Sequence, residues 1–350
     1  MELRATMLFG FLLPALAIAG GSAPYKAPFM NQWAFENKGQ EVCRFDGKNC
    51  LKGTAGVDMK AKLAWAKTKD CSAVIVAVLD SGVDTTHPDL KNNLLAGRNF
   101  VGENNDPSDD NLHGTHVAGI IAASGTEAKG VVGVCQKARL LPVKVGSAEG
   151  YLTDADVLQG IGYAVAQGAK VVNGSFGGGP GNELIRQAVE KASGTLFIFA
   201  AGNGDSFGRG FDIDAKPVYP ASYALANIVA VAATNSQDQL GAFSNWGKER
   251  VDLAAPGVNI LSTLPMKATA EMKANKIPTE MGAIDGTSMA TPYVAGAATL
   301  LWATSPKSSL AEVKARLLAS VDKTAALEGK VRSGGRLNLA KLFFAPAGNK

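Results

Sequence analysis

Strand-like apolar runs alternate with helical patterns along most of this chain. The runs lie at Ala73–Leu79, Leu140–Val145, Lys170–Asn173, Thr195–Ala200 and Ile228–Ala233. Between them fall helical patterns such as His116–Ala123, Asp154–Ala166 and Asn182–Ala192, and Tyr293–Trp302 is apolar enough for a buried helix. Strands apolar on both faces need cover on both faces, which predicts a mostly parallel sheet with helices above and below. Right-handed crossovers then give a doubly wound α/β sheet, whose ligand crevice lies outside the carboxyl ends of the strands. No repeat or low-complexity tract interrupts the pattern. One catalytic domain over 56–345 is expected, with a tail at 346–350. Within it, Ser309–Val321 reads as a helix and Gly335–Leu342 as a short closing element.

The first 55 residues read differently. Arg4 precedes a run, Ala5–Ala19, that is almost wholly apolar, and Ala17-Ile18-Ala19 has the small-x-small form of a cleavage site. Residues 1–19 are therefore expected to be a signal peptide. Residues 20–55, irregular and polar, read as an N-terminal arm lying over the domain. No later run reaches the roughly 18 apolar residues that span a bilayer, and no cysteine follows the cleavage site to carry a lipid. The mature protein is expected to be secreted or periplasmic, without a membrane anchor, and monomeric. Export makes disulfides the expected state of Cys43, Cys50, Cys71 and Cys135. Four cysteines allow three pairings. Cys43–Cys50, which closes a short polar loop, is preferred. Cys71 and Cys135 each precede a strand and would start side by side if those strands are parallel neighbours. A formal net charge of +4 over 350 residues, with no basic run, argues against nucleic-acid binding.

Chemistry-bearing residues cluster at the strand ends. Asp80 closes the first strand in Asp80-Ser81-Gly82. His113 opens a helical run in His113-Gly114-Thr115-His116. Asn203 follows another strand in Ala201-Gly202-Asn203-Gly204. Ser288 sits in Asp285-Gly286-Thr287-Ser288-Met289-Ala290-Thr291-Pro292, ahead of the buried helix. A hydroxyl at a helix N-terminus is near free backbone N–H groups and a dipole that favours negative charge. Taken alone, Gly-Thr-Ser before a helix is an ordinary cap. Together, a carboxylate, an imidazole, a side-chain amide and a hydroxyl on one sheet edge are the set that acyl transfer needs.

Asp80-Ser81-Gly82-Val83-Asp84, His113-Gly114-Thr115-His116-Val117-Ala118-Gly119, Ala201-Gly202-Asn203 and Gly286-Thr287-Ser288-Met289-Ala290 resemble the four signature motifs of the subtilisin-like serine proteases, the subtilases. They occur in the order Asp, His, Ser that subtilisin has. Shorter matches, such as His87-Pro88-Asp89-Leu90, Val143-Lys144-Val145 and Tyr219-Pro220-Ala221, fill the gaps from about residue 56 to 342. The resemblance implies a secreted endopeptidase with Ser288 as nucleophile, His113 as base, Asp80 as its orienting acid, and the Asn203 amide with the Ser288 N–H as oxyanion hole. His116 and His87 are then structural. An extended peptide would lie between Ser175-Phe176-Gly177 and a second edge near Gly150-Tyr151-Leu152, and reading main chain gives broad specificity. Val218 would narrow the floor of the primary pocket and favour medium apolar side chains; Asp212 and Asp214 would instead attract basic ones.

No cofactor is required for this chemistry. The acidic stretch Glu103–Asp110 reads either as a solvated loop or as a structural calcium site, the second resembling a site of some subtilases, whereas Ser124–Gly130 lacks the asparagine-rich insertion of another. Only about a dozen residues separate Ala19 from Asn31, too few for the usual folding propeptide. The enzyme is expected to fold unaided or with a separately encoded inhibitor. Two other classes compete. A catalytically silent binding module on the same fold would have lost part of the triad, and here every member is present. An esterase of the α/β-hydrolase type needs Gly-x-Ser-x-Gly and a histidine after the serine, and this chain has neither.

Overall fold

A computed structural model describes residues 32–125 and 130–344. The expected signal peptide, the start of the arm, much of the Ser124–Gly130 loop and the tail lie outside the described residues. In chain order the elements are β1 (Glu41–Val42), β2 (Leu51–Lys52), α1 (Ala61–Trp65), β3 (Asp70–Asp80), β4 (Arg98–Asn99), α2 (His113–Ala122), β5 (Lys137–Lys144) and α3 (Asp154–Ala166). Then come β6 (Val171–Gly174), α4 (Glu183–Lys191), β7 (Leu196–Ala200), β8 (Ile228–Thr234), β9 (Leu253–Pro256), β10 (Ile260–Thr263), α5 (Ala270–Ala274) and β11 (Met281–Ile284). The chain closes with α6 (Thr287–Thr304), α7 (Leu310–Ala319), β12 (Val321–Lys323), β13 (Gly335–Leu337) and α8 (Lys341–Phe344).

Nine strands form one sheet in the order β12-β13-β9-β8-β7-β6-β3-β5-β4. It is parallel throughout except for β12, which pairs antiparallel with β13 at the edge. The middle strands β6, β7 and β8 are buried at every residue, as a sheet covered on both faces requires. The core splits accordingly. One cluster, with Leu79, Val143, Val157, Ile161, Phe197 and Phe199, lies under α3 and α4. The larger one, with Val76, Val78, Ile198 and Val231, lies under α2 and α6. Sequence and structure agree on an α/β subtilisin-like domain. β9, β10, β11 and β13 are too short to announce themselves in the sequence, and β10 with β11 forms a separate antiparallel pair.

α6 is buried on all sides from Thr287 to Trp302, which explains why it shows no polar stripe. Its small residues let it approach the core closely: a Cβ on Gly296 would sit 2.7 Å from Val134 Cβ.

The arm is more than an irregular cover. Trp33, Ala34 and Phe35 are fully packed in the larger core cluster. Residues 41–52 form a two-stranded hairpin, Glu41 opposite Lys52 and Val42 opposite Leu51. The polar average of the segment hides three buried residues.

Cys43–Cys50 and Cys71–Cys135 are both disulfides. The second joins the starts of β3 and β5, which are parallel neighbours paired at Asp70 and Lys137. By loop-closure entropy alone it destabilises the unfolded chain by about 4 kcal/mol.

Candidate active site

Asp80 is the last residue of β3 and is fully buried; His113 is the first residue of α2. Asp80 Oδ1 accepts hydrogen bonds from His113 Nδ1 at 2.8 Å and from the Ser81 backbone N–H at 2.7 Å. A carboxylate facing Nδ1 fixes the proton there and leaves Nε2 as the basic nitrogen. The close approach of α2 to this strand end depends on Gly114, where a Cβ would sit 2.0 Å from the Gly82 carbonyl oxygen.

A polar brace holds the helix start in register with Asp80. Asp109 accepts from Ser81 Oγ at 2.9 Å, from the Thr115 N–H at 2.9 Å and from Thr115 Oγ1 at 2.5 Å. Ser81 Oγ in turn accepts from the Gly114 N–H at 3.0 Å. On the other side Lys144, buried at the end of β5, donates to the Ser81 carbonyl at 2.5 Å and to the Gly146 carbonyl at 2.8 Å. It pairs with Asp110 at 2.5 Å. Burial pushes the Asp109 carboxyl above its ordinary range, against the bonds from Thr115. The sequence reading missed this brace; its only trace is an acidic pair just ahead of a helix start.

Those contacts bear on the calcium reading. Asp109 and Asp110 are engaged by protein donors. Asn104 and Asp106 cap their own turns, accepting from Asp106 N–H and Ser108 N–H. Among the described residues, no three acidic side chains of Glu103–Asp110 gather their oxygens around one point.

Ser288 is the second residue of α6 and its hydroxyl does not cap the helix; Gly286 is the N-cap and makes no side-chain cap bond. Ser288 Oγ instead donates to the Ser175 carbonyl at 2.8 Å, and Ser175 Oγ donates to the Ser288 carbonyl at 2.8 Å. Pro292 explains the second bond. It stands four residues after Ser288 inside the helix and has no N–H, so the Ser288 carbonyl lacks its helical partner. Ser175 follows β6, which is next to β3 in the sheet, so the serine and the Asp–His pair share one edge.

Asn203 follows β7. Its Oδ1 accepts from the Thr287 N–H and from Thr287 Oγ1, both at 2.8 Å. A backbone N–H can only donate, so this contact fixes the amide's orientation and turns the NH₂ away from Thr287. Thr287, which orients this amide, lies in the motif, and sequence reasoning did not single it out.

The peptide-binding candidates divide. Ser175 is placed against Ser288. The Phe176 ring is buried against Phe199. A Cβ on Gly177 would lie 3.5 Å from Val218 Cγ1, which places Val218 beside that segment. On the second edge, the Gly150 N–H is bonded to the Ser147 carbonyl at 3.0 Å, and Leu152 is 1% exposed in the core. Between them Tyr151 is 48% exposed and is the residue this loop presents. Asp214 caps a turn, accepting from the Glu249 and Arg250 N–H groups at 2.9 Å. Asp212 accepts from the Asp214 N–H at 2.9 Å.

The other two histidines are braces. His87 Nδ1 accepts from the Asp89 N–H, so its Nε2 donates to the Glu280 carbonyl at 2.9 Å. His116 Nε2 lies 3.0 Å from both the Ile260 and Gly282 carbonyls, tying α2 to β10 and β11. Burial lowers the His116 pKa from 6.5 to about 3. A depressed pKa gives stability that is complete above the unfolded value and lost as pH falls from 6.5 toward 3. Unfolding free energy is expected to drop by about 1.4 kcal/mol per pH unit in that window from this residue alone. Denaturant titrations of wild type and His116→Gln check this; equal slopes below pH ~6 in both would exclude it.

Known proteins resemble this chain over most of its length. The model of the subtilase family matches residues 72–336. Thermitase of Thermoactinomyces vulgaris is 38% identical over 285 residues, which is 81% of this chain and 92% of thermitase. The major intracellular serine protease of Bacillus subtilis (strain 168) is 41% identical over 251 residues, 69% of this chain and 72% of that protein. Subtilisin E of the same strain is 42% identical over 249 residues, 70% of this chain and 60% of subtilisin E. Fold and relatives define a serine endopeptidase. The chain belongs to the subtilase family.

Proposed function

We propose that Ser288 is the nucleophile of this endopeptidase, with His113 as base, Asp80 as its orienting acid, and the Asn203 amide with the Ser288 N–H as the oxyanion hole. The observation that carries this reading is the buried 2.8 Å pair of Asp80 and His113 at the sheet edge that Ser288 shares. In the free enzyme the Ser288 hydroxyl rests on the Ser175 carbonyl. An extended substrate pairing with Ser175-Phe176-Gly177 brings its own N–H to that carbonyl. The serine hydroxyl then leaves it and turns to His113 Nε2. Attack on the peptide carbonyl forms the tetrahedral intermediate as His113 takes the proton. Collapse expels the amine, which receives that proton, and water hydrolyses the acyl-enzyme by the same steps in reverse.

Main-chain pairing supports broad specificity, with Val218 shaping a medium apolar primary pocket and Tyr151 flanking the second edge. The Asp214 contacts disfavour a basic preference. Two disulfides and no free cysteine suit an oxidising compartment, so the reading includes export. Among the described residues no helix is long and apolar enough to cross a membrane.

Casein hydrolysis by residues 20–350, blocked by a fluorophosphonate, tests the activity; hydrolysis insensitive to that reagent would contradict it. Asn203→Ala is expected to lower kcat about 10²–10³-fold with little change in KM, the size known for the equivalent loss in subtilisin. Peptide anilide kinetics read this directly, and a loss confined to KM would remove Asn203 from the oxyanion role.

A further inference from the structure

The disulfide hairpin of the N-terminal arm reaches the segment that delivers the nucleophile. Its tip is closed twice over, by Cys43–Cys50 and by a turn in which the Arg44 N–H donates to the Lys48 carbonyl at 3.1 Å and the Gly47 N–H to the Arg44 carbonyl at 2.9 Å. From that tip the Phe45 N–H donates to the Ala283 carbonyl at 3.1 Å, adding a backbone bond to the end of β11. Arg44 Nε stands 3.7 Å from Asp285 Oδ2, and the side chains are only 12% and 14% exposed. Asp285 is three residues before Ser288.

The other oxygen of Asp285 is held as well. Asp285 Oδ1 accepts from the Asn259 N–H at 2.6 Å. Asn259 sits in the left-handed region at φ 54° and donates from its side chain back to the hairpin, to the Val42 carbonyl at 3.2 Å and the Asn49 carbonyl at 3.0 Å. Next in the chain, the Gly286 N–H donates to the Gly257 carbonyl at 2.8 Å. So the hairpin grips both segments, 257–259 and 283–285, from which the turn before α6 is built. A buried carboxylate is costly unless a cation meets it, and Arg44 is the cation placed to do so.

We propose that Arg44 is a positioning residue for Ser288, acting through Asp285, and that the Cys43–Cys50 hairpin is the clamp that keeps it there. Neither residue touches substrate. Their effect is to fix the entry angle of α6, and with it the direction of the serine hydroxyl and of the Ser288 N–H. Displacement of a reacting group by about an ångström is enough to lower turnover severely. The inference rests on Ser288 being the nucleophile.

The test uses the purified enzyme and two readouts, peptide anilide kinetics and the rate of fluorophosphonate labelling, which reports the serine without a peptide. Arg44→Ala and Arg44→Gln are expected to lower kcat and labelling roughly tenfold with KM within about twofold, and Arg44→Lys to restore most of the loss. Asp285→Asn should lower kcat alike, and combining it with Arg44→Ala should add little. Cys43→Ser with Cys50→Ser should match Arg44→Ala. Circular dichroism shows which variants are folded, and Arg44→Gln carries the test if Arg44→Ala is not. A folded Arg44 variant with wild-type kcat and labelling rate overturns the proposal, as do losses at Arg44 and Asp285 that simply multiply. Ser288→Ala run alongside separates the two readings: residual labelling there sinks the nucleophile assignment itself, whatever Arg44 does.

Discussion

Ser288→Ala is expected to abolish casein hydrolysis and fluorophosphonate labelling while leaving the protein folded. The size should be about 10⁶-fold in kcat, as for the same loss in subtilisin. The Ser175 hydroxyl does not stand in for it, because Ser175 Oγ is committed to the Ser288 carbonyl, a main-chain bond that the substitution leaves in place. The reciprocal bond from Ser288 Oγ is lost, and the Ser175 carbonyl becomes free to pair with substrate. KM should therefore hold steady or fall as turnover vanishes. Binding of a non-hydrolysed peptide by calorimetry, together with the missing labelling, checks both halves. Activity within tenfold of wild type would remove Ser288 from the mechanism.

Asp80→Asn is expected to lower kcat about 10⁴-fold, with the geometry largely kept. Asp80 Oδ1 accepts two donors, His113 Nδ1 and the Ser81 N–H. An asparagine carries no negative charge to stabilise the imidazolium, and where its NH₂ takes the place of Oδ1 it makes Nδ1 an acceptor, so the proton moves to Nε2 and the base is lost. The loss should recede at high pH only if hydroxide can deprotonate the serine in its place. A pH–rate profile of the variant from about 6 to 10 reads this, and a tenfold or smaller effect across that range would show that Asp80 does not set the tautomer.

Much of this was legible in the sequence because it is written locally. Buried parallel strands are largely apolar, so β3, β6 and β7 stand out, and the chemistry follows directly at their ends in Asp80, Ser175 and Asn203. The Asp–His–Ser order of motifs carried the family. What escaped is what folding assembles from distant segments. Thr287 matters because Asn203 comes to it, 84 positions away. Asp109 and Lys144 matter because they meet on Ser81. The sequence of the second edge does not say that the Leu152 side chain is buried while its neighbour Tyr151 is exposed. Composition alone likewise does not say that Thr115 and Lys144 reach carboxylates of the acidic loop. The arm was read as polar cover because three buried residues, Trp33 to Phe35, are lost in a polar average.

The bridge between Cys71 and Cys135 joins residues 64 positions apart, and both Asp80 and His113 fall inside that covalent ring. An oxidised chain that has lost its fold thus keeps acid and base within one tethered loop, and their encounter on refolding is a short-range search. Ser288 and Asn203 are outside the ring. Recovery of activity after denaturation therefore also requires β7, β8 and α6 to dock onto the tethered half.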